Sequence, residues 1–244
     1  MARKAAPAPE KPADPRARIV DALMALAAEM PFEDITLTEI ATRADVSLAD
    51  FRDAFLSKGA VLGGFSRRID RIVLDGTGSD LADESAKDRL FDVLMRRIDA
   101  MTPFKAGLES VVAWARRDAL ALSALNQLTL NSMRFMLEAA GIASDGGVGA
   151  LKLQGLALAW VRILDVWFRD EDKGLAATMA ALDKALERGA SLVARAEDFH
   201  RLTAPLRSLA EGLFAARRGM GGGGSRTRSR YPRDRGDEAR GAAL

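Results

Sequence analysis

Two helix-start signals eleven residues apart constrain this chain more than any other feature: Thr36 followed by Glu39, and Ser47 followed by Asp50, both within TLTEIATRADVSLADFRDAFLSK (36–58). In such a pair the hydroxyl accepts from the backbone N–H three residues on, while the carboxylate reaches back to the N–H of the capping residue. Two donors that a helix end would leave orphaned are satisfied together. Between the two starts, Ala44-Asp45-Val46 forms a turn in which Asp45 takes a left-handed conformation at modest cost. Two short helices joined by such a turn make a helix-turn-helix, a unit whose second helix fits a DNA major groove.

Elsewhere, apolar positions recur at steps of three and four and alternation is rare, so the expected fold class is all-α. Asp14-Pro15 supplies a cap and a first-turn proline for a helix with Ile19, Leu23, Leu26 and Ala27 on its stripe, reaching about Met30. Pro31-Phe32-Glu33-Asp34 breaks it. Ser57 caps a fourth helix with Val61, Leu62, Phe65, Ile69 and Ile72 on one face, ending near Asp75-Gly76. Past a polar hinge over 76–85, helices are expected near 85–101, 104–117, 118–140, 150–169 and 174–197. A last one, over 199–218, carries Phe199, Leu202, Leu206, Leu209 and Leu213. The expected organisation is a flexible basic arm (1–14), a helix-turn-helix domain (15–75), a larger helical domain (85–218) and a low-complexity Gly/Arg tail (219–244).

Composition narrows the chemistry. The chain holds no cysteine, which excludes disulfides, thiolate metal sites and cysteine nucleophiles, and its single histidine, His200, leaves little for His-based metal or general-base chemistry. No acidic cluster has metal-ligand spacing, so no metal, cofactor or catalytic residue is expected, and the chain reads as a non-enzyme. No uninterrupted apolar run reaches the roughly 18 residues of a membrane span, and residues 1–16 lack the apolar core of a secretory signal, which points to a cytoplasmic protein. Charge is unevenly spread: against a net +2, residues 217–244 carry +5 and residues 1–18 carry +3, leaving −6 between them.

Over residues 16–73 the chain resembles the TetR/AcrR family of bacterial transcriptional regulators. The resemblance is carried by ITLTEIATRADVS, with Thr36 as cap, Ile40-Ala41 in the middle and Val46-Ser47 opening the second helix, then by Phe55 and Ser57-Lys58. It implies an N-terminal DNA-binding domain of three or four helices and a larger helical domain that binds a ligand and pairs with a second copy. Residues 47–55 would be the recognition helix, with Ser47, Leu48 and Ala49 approaching the groove and Arg52 standing where the family usually has Tyr. Lys58 would contact phosphate, and Thr38 and Arg43 would add backbone contacts. Pairing through about 150–197 would present two recognition helices to a palindromic operator, released by a small apolar effector.

Pocket candidates are Phe104, Trp114, Asn131, Phe135, Gln154 and Trp160, among a wider set with Met101, Met133, Met136 and Trp167 for which ordinary core packing is the alternative. Asn126 and Gln127 join Asn131 and Gln154 as candidate buried polar groups. From Ile19 to Asp75, ten acidic residues oppose six basic ones, and Asp53 stands at a position often held by His. The second half, in RLFDVLMRRIDAMTPFKAGLESV and LALAWVRILDVWFRDEDKGLAATMAALDKAL, is similar to the TetR-fold lipid-binding proteins of ubiquinone biosynthesis. That resemblance implies a core lipid, no DNA binding and membrane contact by 199–218.

Overall fold

The computed structural model describes residues 14–78 and 83–192. The arm before Asp14, the expected helix over 199–218 with His200, and the Gly/Arg tail lie outside them. Every regular element among the described residues is helical.

The first helix, α1 (Pro15–Glu29), starts where Asp14 Oδ1 accepts from the Arg16 N–H at 3.2 Å, and ends at Met30 ahead of Pro31. A single 3-10 turn, Phe32–Asp34, leads into α2 (Leu37–Arg43), and α3 (Leu48–Ala54) follows after four residues. Both capping boxes are closed: Thr36 Oγ1 accepts from the Glu39 N–H at 3.2 Å and Ser47 Oγ from the Asp50 N–H at 3.0 Å, each with its reciprocal carboxylate contact. Asp45 makes the turn with φ of +51°. Ser57 Oγ accepts from the Ala60 N–H at 3.1 Å and opens α4 (Lys58–Asp75).

The buried face of α4 is Val61, Leu62, Phe65, Ile69 and Val73, whereas Ile72 is 52% exposed. Four-residue steps from Val61 carry the stripe to Val73 instead of the expected Ile72, because the helix holds one side against its neighbours for its whole length.

The larger helical region comprises α5 (Ala86–Met101), a 3-10 turn at Thr102–Phe104, α6 (Lys105–Ala115), α7 (Ala119–Ala139), α8 (Gly146–Arg169) and α9, helical over 176–192. Helix α8 starts at Gly146, ahead of the expected 150. Gly149 permits this, because a Cβ there would lie 2.3 Å from the Ser144 carbonyl carbon. Asp170 fixes the step into α9, its Oδ2 accepting from Thr178 N–H (2.8 Å) and Oγ1 (2.7 Å). Lys87 ties α9 back to α5 through Asp183 at 2.8 Å.

Two contacts fix the helix-turn-helix against the rest. Gly107 of α6 lets that helix lie directly on α1, since a Cβ there would come within 2.5 Å of the Met24 carbonyl oxygen. Deeper in, Arg97 of α5 is ion-paired to Asp70 of α4, which also accepts from Ser132 Oγ of α7, and the guanidinium lies 5.7 Å from the Trp160 ring centroid on α8. Four helices meet at this one polar cluster.

Candidate nucleic-acid interface

Helix α3 is held by one buried anchor, Phe51, with Ala54 half-buried beside it; Leu48, Ala49, Asp50, Arg52 and Asp53 are exposed. Leu48, Ala49, Arg52 and Asp53 fall at i, i+1, i+4 and i+5 and therefore share one solvent face. Two arginines of α1 grip the ends of this helix. Arg16 donates to the Ala54 carbonyl at 2.7 Å, at the C-terminal end of α3, and Arg18 donates to the Asp45 carbonyl at 2.9 Å, in the turn before it. A carbonyl acceptor leaves a guanidinium its full charge, so Arg16 keeps a cation beside the C-terminal end of α3. Arg18 lies 3.6 Å from the exposed Asp45 carboxylate. Neither arginine belonged to the expected set; the sequence signal for them was the basic first turn of α1.

The residues named from the sequence divide into free and committed groups. Thr38, Leu48, Ala49 and Arg52 are exposed. Ser47 is exposed, but its hydroxyl donates to Asp50 Oδ2 at 2.7 Å while accepting from the Asp50 N–H, so the box takes its only donor. Arg43 is paired with Glu29 in two contacts, one at 3.1 Å, and the pairing pulls the Glu29 carboxyl below its ordinary pKa and raises that of Arg43. Lys58 turns inward: Nζ donates to the Phe32 and Glu33 carbonyls at 2.9 and 3.3 Å and sits 4.9 Å from the Phe32 ring centroid. Burial lowers its pKa, against the opposing pull of Asp34, Glu33 and Glu39. It staples the α1–α2 link to the start of α4. Asp50 and Glu39 are held below their ordinary pKa chiefly by hydrogen bonds from Ser47 and Thr36.

The pocket candidates do not converge. Trp160 is buried and Phe104 and Trp114 are half-buried, while Asn131, Phe135 and Gln154 face solvent, as do Asn126 and Gln127. Phe104 stands edge-on to Phe65 at 5.1 Å and Trp114 lies 4.7 Å from Phe32, so both aromatics serve the packing of α6 on the N-terminal helices. Among the described residues the buried polar groups are instead Arg97, Ser132, Ser144, Asp170 and Thr178. Arg97 had a sequence signal, since it falls in phase with Leu90, Val93, Leu94, Ile98 and Met101. A groove of about 540 Å³ lies between the end of α1 and α6, with Trp114, Glu29, Glu33 and Glu109 on its walls. On the outer side of α8, Leu151, Leu158 and Val161 are exposed, as is Met179 of α9.

No family model matches the chain, and no curated protein matches it in sequence. Its fold is shared with solved structures. A TetR transcriptional regulator from Nitrosomonas europaea superposes with a TM-score of 0.59 at 22% identity, covering 72% of this chain and 97% of that one. A TetR transcriptional regulator from Rhodococcus sp. RHA1 gives 0.55 at 19% identity, covering 72% and 95%. The chain has the all-α fold of TetR-type regulators.

Proposed function

We propose that this chain is a cytoplasmic TetR-type transcriptional regulator, a homodimer that holds a palindromic operator through α3 and releases it when a small apolar effector enters the helical domain. The observation that carries this reading is the solvent face of α3, fixed at both ends by Arg16 and Arg18 and left open by the side chains of the described residues. A second copy would cover the apolar outer face of α8 and bring two reading helices onto one side of the duplex. Helix α4 starts four residues after α3 and carries Asp70 into the buried cluster, so a shift of α5 or α7 reaches the reading head through one rigid element. Such coupling is reciprocal: effector and operator weaken each other by the same factor.

The test is a fluorescence-anisotropy titration of the full-length chain against DNA upstream of its own gene, at two salt concentrations and with competitor DNA. Sequence-specific binding that falls with salt and is weakened by Arg52→Ala supports the reading, each phosphate contact adding about 0.9 to the slope of log affinity on log salt. No binding at low salt overturns it.

One observation favours a second reading. Asp45, Asp50 and Asp53 are all exposed around α3, an arrangement that repels phosphate. On that reading the same fold carries a lipid, with a vestigial helix-turn-helix and membrane contact through 199–218. A hydrophobic molecule would then co-purify, and liposome binding would be lost on deleting 199–244.

A further inference from the structure

The solvent face of α3 is short of the groups that read DNA by hydrogen bonding. Leu48, 54% exposed, and Ala49 carry no polar side-chain atom. The Ser47 hydroxyl spends its one donor on Asp50 Oδ2 in the capping box, so both residues offer DNA only acceptor capacity. Arg52 remains, whose planar fork fits O6 and N7 of guanine, together with Asp53, a carboxylate that accepts only from an amino edge such as N4 of cytosine. An aliphatic side chain meets one distinctive partner on the floor of the major groove, the C5 methyl of thymine.

We propose that this reading head recognises a thymine-containing half-site by its methyl groups, with one guanine fixed by Arg52. The inference rests on the regulator reading and names the DNA that reading would require. Because a recognition helix meets the bases with its N-terminal residues, Leu48 and Ala49 contact the thymines. Arg52, four residues after Leu48, reaches the guanine about 6 Å further along the helix, a distance of about two base pairs. Asp53, on the same face, accepts the amino edge of a cytosine there and disfavours a carbonyl edge. Specificity then comes mainly from methyl packing and a single fork.

Selection of duplexes from a random library by the full-length chain is expected to enrich a palindrome with thymines and a guanine in each half-site. In the enriched duplex, uracil in place of each thymine removes only the methyl group, and affinity is expected to fall about fourfold per methyl. Leu48→Ser, which puts a polar side chain at a position 54% exposed, should erase the preference for thymine over uracil at its base pair, with urea unfolding checking that the fold is kept. Arg52→Ala should keep that preference and lose about tenfold or more of the discrimination for guanine. If the intact protein binds thymine and uracil duplexes equally, methyl readout is overturned while the regulator reading stands. If the library yields no enriched sequence, the regulator reading falls and this inference falls with it.

Discussion

Removing either member of the Arg97–Asp70 pair should cost far more than removing both. Their side chains are 7% and 13% exposed, Ser132 Oγ donates to the same carboxylate, and the Arg97 Nε has no hydrogen-bond partner. Burial pulls the pKa of Arg97 below its ordinary value, and the adjacent Asp70 carboxylate opposes that pull. Two charges so placed lose several kcal/mol each in hydration, and their attraction offsets this only while both are present. Asp70→Leu strands a guanidinium against Trp160; Arg97→Met strands a carboxylate between α4 and α7. Each single change is expected to lose about 3–5 kcal/mol, a fall in Tm of about 6–20 °C for a chain of this length.

The double variant removes both charges and keeps a long apolar side chain at each position. It is expected to lie within about 1 kcal/mol of the parent or above it. Urea unfolding of the four proteins closes the cycle, with equal m-values required before the midpoints are compared. Single losses that simply add in the double variant would show that the two groups do not interact. A single loss below about 1 kcal/mol would show that water reaches the cluster and that it is not buried in solution.

Three further perturbations test the frame around α3. Lys58→Ala should lose about 1–2 kcal/mol in urea unfolding, because its two carbonyl contacts join Phe32 and Glu33 to α4 and are partly screened by solvent; its DNA-binding salt slope should match that of the parent, and a slope reduced by about one would restore the phosphate role. Gly107→Ala places a methyl against the Met24 carbonyl oxygen and should cost about 1–3 kcal/mol, while Gly155→Ala, with open space around it, should be neutral or stabilising; equal effects would refute the close packing of α1 on α6. Glu39 and Asp50 have depressed folded pKa values, so the stability they supply is full above their unfolded values and is lost as pH falls below the ordinary glutamate value of 4.5; urea midpoints taken from about pH 5 to about pH 3 should fall less steeply in Glu39→Gln with Asp50→Asn, and an unchanged slope would refute it.

Helix positions were legible where a residue acts on its own backbone. Asp14, Thr36, Ser47, Ser57 and Asp45 each do in the structure what their chemistry dictates over three or four residues, and the expected 118–140 appears as Ala119–Ala139. Expectation failed where a distant segment decides. The glycine-rich stretch 141–149, between the expected helices 118–140 and 150–169, stood as a break, yet contact with the Ser144 backbone makes Gly149 the residue that fits the first turn of α8. Asn131 and Gln154 were proposed as buried polar groups on helices that are apolar overall, but the turn of each helix puts them outward. The burial went to Arg97, whose place in an apolar stripe was visible and whose partner, 27 positions earlier on another helix, was not.

The helix-turn-helix shows the same limit at the level of single atoms. A motif position says which residue stands near DNA, but recognition needs unspent hydrogen-bonding capacity, and that depends on what else the fold asks of the side chain. Ser47 and Lys58 match the motif, yet the capping box takes the one hydroxyl donor and two carbonyls of the α1–α2 link hold the ammonium. Arg16 and Arg18 match nothing in the helix-turn-helix pattern, yet carbonyls at both ends of α3 bring their charges beside it. Subtracting the committed groups leaves Leu48, Ala49, Arg52 and Asp53 facing solvent, a surface with one cation, one anion and two aliphatic side chains. If this surface reads DNA as proposed, it draws little affinity from phosphate and its selectivity comes from shape and methyl contact, and the acidic formal charge over residues 19–75 is compatible with that role.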